Sequence, residues 1–353
     1  MDKKKRILRP VNDPDRRSKA SESGLLKRRK GDERSPITVV LENLYDKYKD
    51  NHDGELANYI PELEKVDPNS FSISLATLDG KVHHVGTKDE EFTIMSCSKP
   101  FVYGMALQEH GAEAVQERVG VEPTGDSFDS IIKLDSSNRP HNAMINAGAI
   151  VIADMIRGDS PQDRLEKFYQ CFESFIGRKP SIDHDIFNSA KHAGHRNRAL
   201  AHLLLGVNEL NSNVDETLDL YVQQCAMKIT TQDLALMGAT LANKGKNPKT
   251  GIQAISPEYT RNVLSVMLTC GLYDYSGEWV YDVGLPAKTG VSGGTVVAIP
   301  GVGGLAIHSP RLDTFGNSVR GIKVCEDMSQ ELGLHIFDAE FNSLNKKAFM
   351  REE

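Results

Sequence analysis

Hydrophobic and polar positions repeat along this chain with two different periods, and the changes of period divide it. The apolar positions Ile37, Val40, Leu41, Leu44 and Tyr48 recur at helical spacing and predict a first helix. Phe71, Ile73 and Leu75 then alternate with Ser72, Ser74 and Ala76, the period of a strand. Asp79-Gly80 is a hairpin turn signal, and Lys81–Val85 is the returning strand. From about Lys99 to Leu268 the pattern is mainly helical. "AGAIVIADMI" (147–156) has the composition of a buried helix, and "TTQDLALMGATLANKG" (230–245) ends on a glycine stop. Strands return late: "GTVVAIP" (294–300), "GVGG" (301–304) and "LAIHSP" (305–310) read as a second hairpin.

Strands at both ends around a helical middle predict an α+β fold. One antiparallel sheet lobe is built from both ends of the chain, and a helical lobe, about 99–268, is inserted into it. The N-terminal 36 residues differ in kind. They hold 13 Lys or Arg against 6 Asp or Glu, with few apolar residues, so a disordered basic tail is expected. A single domain then covers 37–340, and 341–353 is a C-terminal tail. The basic clusters Lys3–Arg6 and Lys27–Lys30 read either as a solvated tail or as a nuclear address or anionic contact, while the tail's acidic residues argue against a mitochondrial transit peptide.

Beyond the tail, the body carries 29 basic and 43 acidic residues, which gives no support to a nucleic-acid partner. No apolar run reaches the roughly 18–20 residues of a membrane helix, and the charged N-terminus lacks the apolar stretch of a signal peptide. A soluble, cytoplasmic protein with no membrane partner is expected. The five cysteines, Cys97, Cys171, Cys225, Cys270 and Cys325, are odd in number and contain no Cys-x-x-Cys pair. The eleven histidines form no His-Glu-x-x-His pattern. No disulfide framework, metal site or cofactor is therefore expected.

The chemistry-bearing pattern is Ser96-x-x-Lys99, in "MSCSKPFVYGMALQEHG" (95–111). Residues three apart share a helix face, so Lys99 lies beneath the Ser96 hydroxyl. Pro100 is tolerated only in a first helical turn, which puts Ser96 at or near a helix N-terminus. A serine is a poor nucleophile until a neighbour takes its proton, and a buried lysine of lowered pKa can serve. The motif alone is weak, since composition yields it roughly once or twice by chance; Ser130-Ile131-Ile132-Lys133 repeats it without further sign of function. The second element is Lys288-Thr289-Gly290, placed directly before the late hairpin where an edge strand belongs. In Ser-Lys hydrolases such a strand borders the nucleophile. Lys249-Thr250-Gly251 has the same residues but no strand context, and reads as a plain turn.

With these motifs the chain resembles the glutaminases over about Asn58 to Gly321. The resemblance is carried, in order, by "NYIPELEKVDP" (58–68), "SCSKP" (96–100), "RPHNAMINAGAI" (139–150), "HRNRALAHLL" (195–204), "LDLYVQQC" (218–225) and "TCGLYDYSGEWVYDVGLPAKTGVSGG" (269–294). It implies a β-lactamase/transpeptidase-like fold and hydrolysis of the side-chain carboxamide of L-glutamine to L-glutamate and ammonia. It implies that Ser96 attacks the amide carbon and Lys99 takes its proton. The backbone amides of Ser96 and Val291 would hold the oxyanion, and Tyr221, with Tyr59, would relay protons. Asn146, Asn197 and Tyr273 would contact the amino-acid end of the substrate, beside Lys288, Thr289 and Gly290. A homo-oligomer, dimer or tetramer, is implied in the same way.

Two positions depart from the family pattern. Glutaminases usually carry glutamine before the nucleophile, where this chain has Met95. They usually carry glutamate seven residues before the Arg-Asn asparagine, where this chain has Ala190; His195 also replaces an aspartate, with His192 nearby. Both polar positions help hold the substrate's α-amino-acid head in the family. An ammonium buried without its carboxylate partner costs on the order of 3–5 kcal/mol. Three readings stay open: a glutaminase with compensating acidic residues, such as Glu90 or Glu91; a glutaminase-like amidase for an amide lacking the α-ammonium or carrying an anion that His192 or His195 meets; and a non-catalytic interaction protein. A penicillin-binding or β-lactamase role is disfavoured by the missing export signal.

Overall fold

The computed structural model describes residues 24–26, 34–124, 134–211 and 213–338. Pro36–Tyr48 forms α1, opened by the Ser35 side chain, which accepts from the Thr38 amide, and by a proline in the first turn. Ser72–Thr77 (β1) and Val82–Gly86 (β2) make the predicted hairpin. Phe92–Thr93 (β3) leads through a 3₁₀ turn at Met95–Ser98 into α2 (Lys99–His110). The helical lobe continues with α3 (Ala112–Arg118), α4 (Asn146–Met155), α5 (Pro161–Ile176), a short β4 (Ser181–Ile182), α6 (His184–Ala193), α7 (His195–Gly206) and α8 (Val214–Cys225). After β5 (Met227–Ile229), α9 (Thr231–Ala242) starts on a capping box in which Thr230 and Asp233 satisfy each other's backbone amides. Then come α10 (Pro257–Cys270), α11 (Ser276–Asp282), β6 (Ala287–Thr289), β7 (Gly294–Ile299), β8 (Gly303–His308) and α12 (Val319–Leu332).

The main sheet has the order β2-β1-β8-β7-β6, antiparallel throughout. Chain ends meet in its middle: β1 lies beside β8, with Ser72 opposite His308 and Thr77 opposite Gly303. This is the predicted α+β arrangement. One core packs α1, α11 and α12 against one sheet face; the other joins the opposite face to the helical lobe. α9 covers that opposite face, and the contact depends on glycine. A Cβ on Gly304 would lie 2.1 Å from the Ala235 carbonyl and the Ala239 amide nitrogen, so only a missing side chain lets helix and strand approach this far.

Three details go beyond the sequence reading or differ from it. The alternation in β1 reads as a strand but does not say which face is wet, and all six of its residues are buried. The serine face lies under α9, where the Ser72 hydroxyl bonds Thr231 at 2.6 Å; buried serines keep partners, so a polar face need not be a wet one. A second, three-stranded sheet, β3-β5-β4, stitches the helical lobe to the segment that carries Ser96. Its strands are two or three residues long, too short to show a period of two. The tail expected to be disordered through residue 36 is ordered at Gly24–Leu26, where Leu25 is buried in the α1/α12 core and its amide donates to Glu331 at 3.0 Å. The tail is ordered again at residues 34–36, where Ser35 caps α1 and Pro36 opens it; residues 1–23 and 27–33, the C-terminal tail 341–353 and the Ser130–Lys133 repeat of the motif lie outside the described residues. Among the described residues no helix is long and apolar enough to cross a membrane.

Candidate active site

Ser96 sits in the 3₁₀ turn that feeds α2, as the proline argument requires. The turn is strained: Met95, immediately before Ser96, has φ 46°, a region that long side chains rarely adopt. Its conformation is pinned from below. The Ser98 hydroxyl donates to the Met95 carbonyl at 2.7 Å, and Gln224 Nε2 donates to Ser98 at 2.9 Å. Nothing in the sequence singled out Ser98 or Gln224, because their role exists only once α8 packs against the turn.

Lys99 is fully buried, and its ammonium donates to the Met144 carbonyl at 3.2 Å and to Asn146 Oδ1 at 2.7 Å. Burial lowers its pKa to about 8, because the charged form loses its hydration. Asn146 is shared. Its Oδ1 also accepts from the Tyr221 hydroxyl at 3.2 Å, and its Nδ2 donates to Asn197 Oδ1 at 3.1 Å. One carboxamide on the first turn of α4 thus ties together residues from α2, α7 and α8. Tyr221 is buried, and desolvation holds its hydroxyl well above the usual phenol range, so it stays protonated and can donate.

The opposite wall comes from β6 and the segment after α10. Tyr273, buried and also at positive φ (60°), has a hydrogen bond to Ser96 and donates to the Thr289 carbonyl at 3.2 Å. Gly290 brings this wall close: a Cβ there would lie 3.1 Å from the Ile94 carbonyl and 3.4 Å from the Cys97 amide nitrogen. That approach brings Gly290, and with it the buried Val291 that follows, towards the Ser96 turn. Tyr59 is at the lip, 49% exposed, and interacts electrostatically with Tyr221 and Tyr273.

Direct substrate contact by Lys288 and Thr289 is not what this geometry provides. Both side chains are fully buried and point into the body of the protein. Lys288 Nζ donates to the Gly271 carbonyl at 2.8 Å and to the Thr289 carbonyl at 2.9 Å, and lies 3.9 Å from the Tyr273 ring centre. The Thr289 hydroxyl donates to Asn317 Oδ1 at 2.6 Å. Burial, helped by the positive charge of Lys99, pushes Lys288 well below its ordinary pKa. The two residues position Tyr273 and the edge strand. Burial raises the thiol of Cys97, next to Ser96, to about 12, which keeps it protonated near neutrality.

The compensating acids expected at Glu90 and Glu91 are engaged elsewhere. Glu90 accepts from Ser70, and Glu91 pairs with Arg178 at 3.3 Å and Lys228 at 3.1 Å. Ala190 lies half-buried on α6 and, with Asn197, lines a cleft; His192 and His195 are exposed and line no part of it. The second Lys-Thr-Gly, 249–251, is a turn whose Lys249 and Thr250 amides both donate to Asn247 Oδ1. Among the described residues no group of three or more His, Cys, Asp or Glu could hold a metal ion.

The Glutaminase family model matches residues 54–337. The chain is 51% identical over 304 residues to a glutaminase of Trichormus variabilis, covering 86% of this chain and 91% of that protein. A glutaminase of Corynebacterium glutamicum is 43% identical over 307 residues, covering 86% of this chain and 74% of its own length. Among solved structures, Mglu in its glutamate form superposes with a TM-score of 0.83 at 41% identity, over 86% of this chain and 71% of that one. A Bacillus glutaminase does so with a TM-score of 0.79 at 37% identity, over 85% and 99%. The architecture is the β-lactamase-like one these structures share. With a family model spanning most of the chain, and half its residues identical to a glutaminase over that span, the chain belongs to the glutaminase family of amidohydrolases.

Proposed function

We propose that this chain hydrolyses the side-chain carboxamide of L-glutamine to L-glutamate and ammonia, with Ser96 as covalent nucleophile and Lys99 as its base. The observation that carries this is the buried Lys99 ammonium, one helical step from Ser96, with its pKa brought down to about 8. A useful fraction is then uncharged near neutrality, as a general base requires. Ser96 Oγ attacks the amide carbon while its proton passes to Lys99 Nζ, and the carbonyl oxygen becomes an oxyanion held by the Ser96 and Val291 amides. The carbon–nitrogen bond breaks as the nitrogen takes a proton and leaves as ammonia. Water then attacks the acyl-serine, gives up its proton to the same base, and releases the acid.

Tyr221 and Tyr59 carry protons towards the leaving nitrogen and the incoming water in this reading; the Asn146 oxygen, which accepts from both Tyr221 and Lys99, orients the two donors and passes no proton itself. Asn146, Asn197 and Tyr273 receive the amino-acid end of the substrate. A homo-oligomer is part of the proposal, by family likeness. The experiment is ammonia release from glutamine by wild type and Ser96→Ala. Turnover by wild type and its loss in the variant are expected. A variant within about tenfold of wild type would place the nucleophile elsewhere, since removing a covalent nucleophile costs far more.

A further inference from the structure

A cleft open to solvent lies between α6, α7 and α8. Ala190, Asn197, Leu218 and Val222 line it, with Leu218 and Val222 buried and Asn197 half-buried. Charged residues line it too: Asp215 and Lys191 are exposed, and Lys191 Nζ donates to the half-buried Asp219 carboxylate at 2.7 Å. Arg198, also in the wall, donates to the Lys191 carbonyl. Asn197 belongs to the cleft and to the catalytic cluster at once, because its Oδ1 accepts from Asn146 and Asn146 holds Lys99. The cleft therefore begins one side chain away from the base network and opens to solvent.

Beside Asn197 the wall is formed by Ala190, Leu218 and Val222, none of which carries a charge. A substrate ammonium set beside Asn197 would face the Ala190 methyl, with the Asp219 carboxylate engaged by Lys191. A desolvated cation without a counter-charge is costly. An α-nitrogen that forms part of an amide carries no charge and asks for one acceptor, which a second lone pair on Asn197 Oδ1 supplies. Its acyl group would then run over Leu218 and Val222, and a following peptide group would meet the charged residues of the cleft. We infer that the site takes, as a further substrate class beside free glutamine, glutamine acylated on its α-nitrogen, either as an N-acyl-glutamine or as the C-terminal residue of a short peptide. This rests on the placement of the amino-acid head at Asn146 and Asn197 proposed above.

The test is ammonia release by the full chain from glutamine, N-acetyl-glutamine and glycyl-glutamine. Both substituted substrates are expected to show kcat/KM within tenfold of glutamine or above it; values more than tenfold lower overturn the inference. Ala190→Glu puts a carboxylate in that wall, and Val222→Phe narrows the same space. Each is expected to lower the ratio of kcat/KM for N-acetyl-glutamine to that for glutamine at least tenfold, and a ratio that moves in neither variant overturns the inference. Because Ala190 is half-buried on a helix surface, the first variant retains a folded readout if Val222→Phe does not fold. Hydrolysis of glutamine without hydrolysis of either substituted amide refutes this inference alone. Failure to hydrolyse any of the three refutes the glutamine reading on which it rests.

Discussion

Replacing Asn146 by aspartate changes one atom's worth of chemistry at the centre of the site. Asn146 Oδ1 is 2.7 Å from Lys99 Nζ, so the variant sets a carboxylate against a buried ammonium whose pKa is about 8. An opposite charge at this range favours the charged form by about 1–3 pH units. For the middle of that range, the uncharged fraction of Lys99 at pH 7.5 falls from about a quarter to about 0.3%, a loss of roughly 80-fold in active base. The ends of the range give about 8-fold and about 800-fold. The assay is kcat for ammonia release against pH. Wild type is expected to rise with pH through a limb near 8, and Asn146→Asp through a limb moved up to about 9–11, so that activity recovers as base is added. A variant limb still near 8 would refute the reasoning. An equal loss at every pH would refute it too, because geometry rather than the charge on Lys99 would then be limiting.

Lys99→Met is expected to abolish turnover while raising stability. Lys99 has its pKa at about 8 in the fold against an ordinary 10.5, so below pH 8 both folded and unfolded states are protonated and only the native one bears the burial penalty, about 3 kcal/mol. The variant's gain, about 1–3 kcal/mol at pH 7 by urea unfolding, should shrink as pH rises from 8 to 10.5; no gain would mean the lysine's hydrogen bonds outweigh its desolvation. Ala190→Glu is expected to raise kcat/KM for free glutamine by about tenfold to a thousandfold, or about 1.4–4 kcal/mol, by restoring a partner for the α-ammonium. Adding Met95→Gln should gain more than the sum of the single effects, because both groups address one substrate head; an unchanged kcat/KM in the double variant would place the ammonium elsewhere. Light scattering at micromolar concentration should give a mass above the 39.0 kDa of one chain, and a monomer would refute the homo-oligomer.

The parts of the site that are legible in the sequence are those set by local geometry. Three-residue spacing with a following proline places Ser96 and Lys99 on one helix start, and a Lys-Thr-Gly before a hairpin places β6 beside them. What the sequence does not carry is direction. Lys288 looks like a substrate contact by its charge, yet its side chain turns inward to the Gly271 and Thr289 carbonyls, a choice made by the loop around Tyr273. The Asn146 hub is equally invisible, since its three partners come from separate helices that meet only in the folded lobe. The hairpins and the extent of α9 were readable because turn and stop signals are local, while the Thr230–Asp233 cap of that helix was not read from the sequence. The buried serine face of β1 was not, because whether a polar face is wet depends on what packs over it.

The central claim is that Ser96 becomes acylated. Rapid mixing with an activated γ-ester of glutamate, which makes acylation fast, followed by acid quench and peptide mass analysis, tests it most directly. The account predicts a γ-glutamyl adduct on the peptide containing Ser96, formed in a burst and absent from Ser96→Ala. Turnover with no adduct on that serine, or an adduct on any other residue such as Cys97, would contradict it.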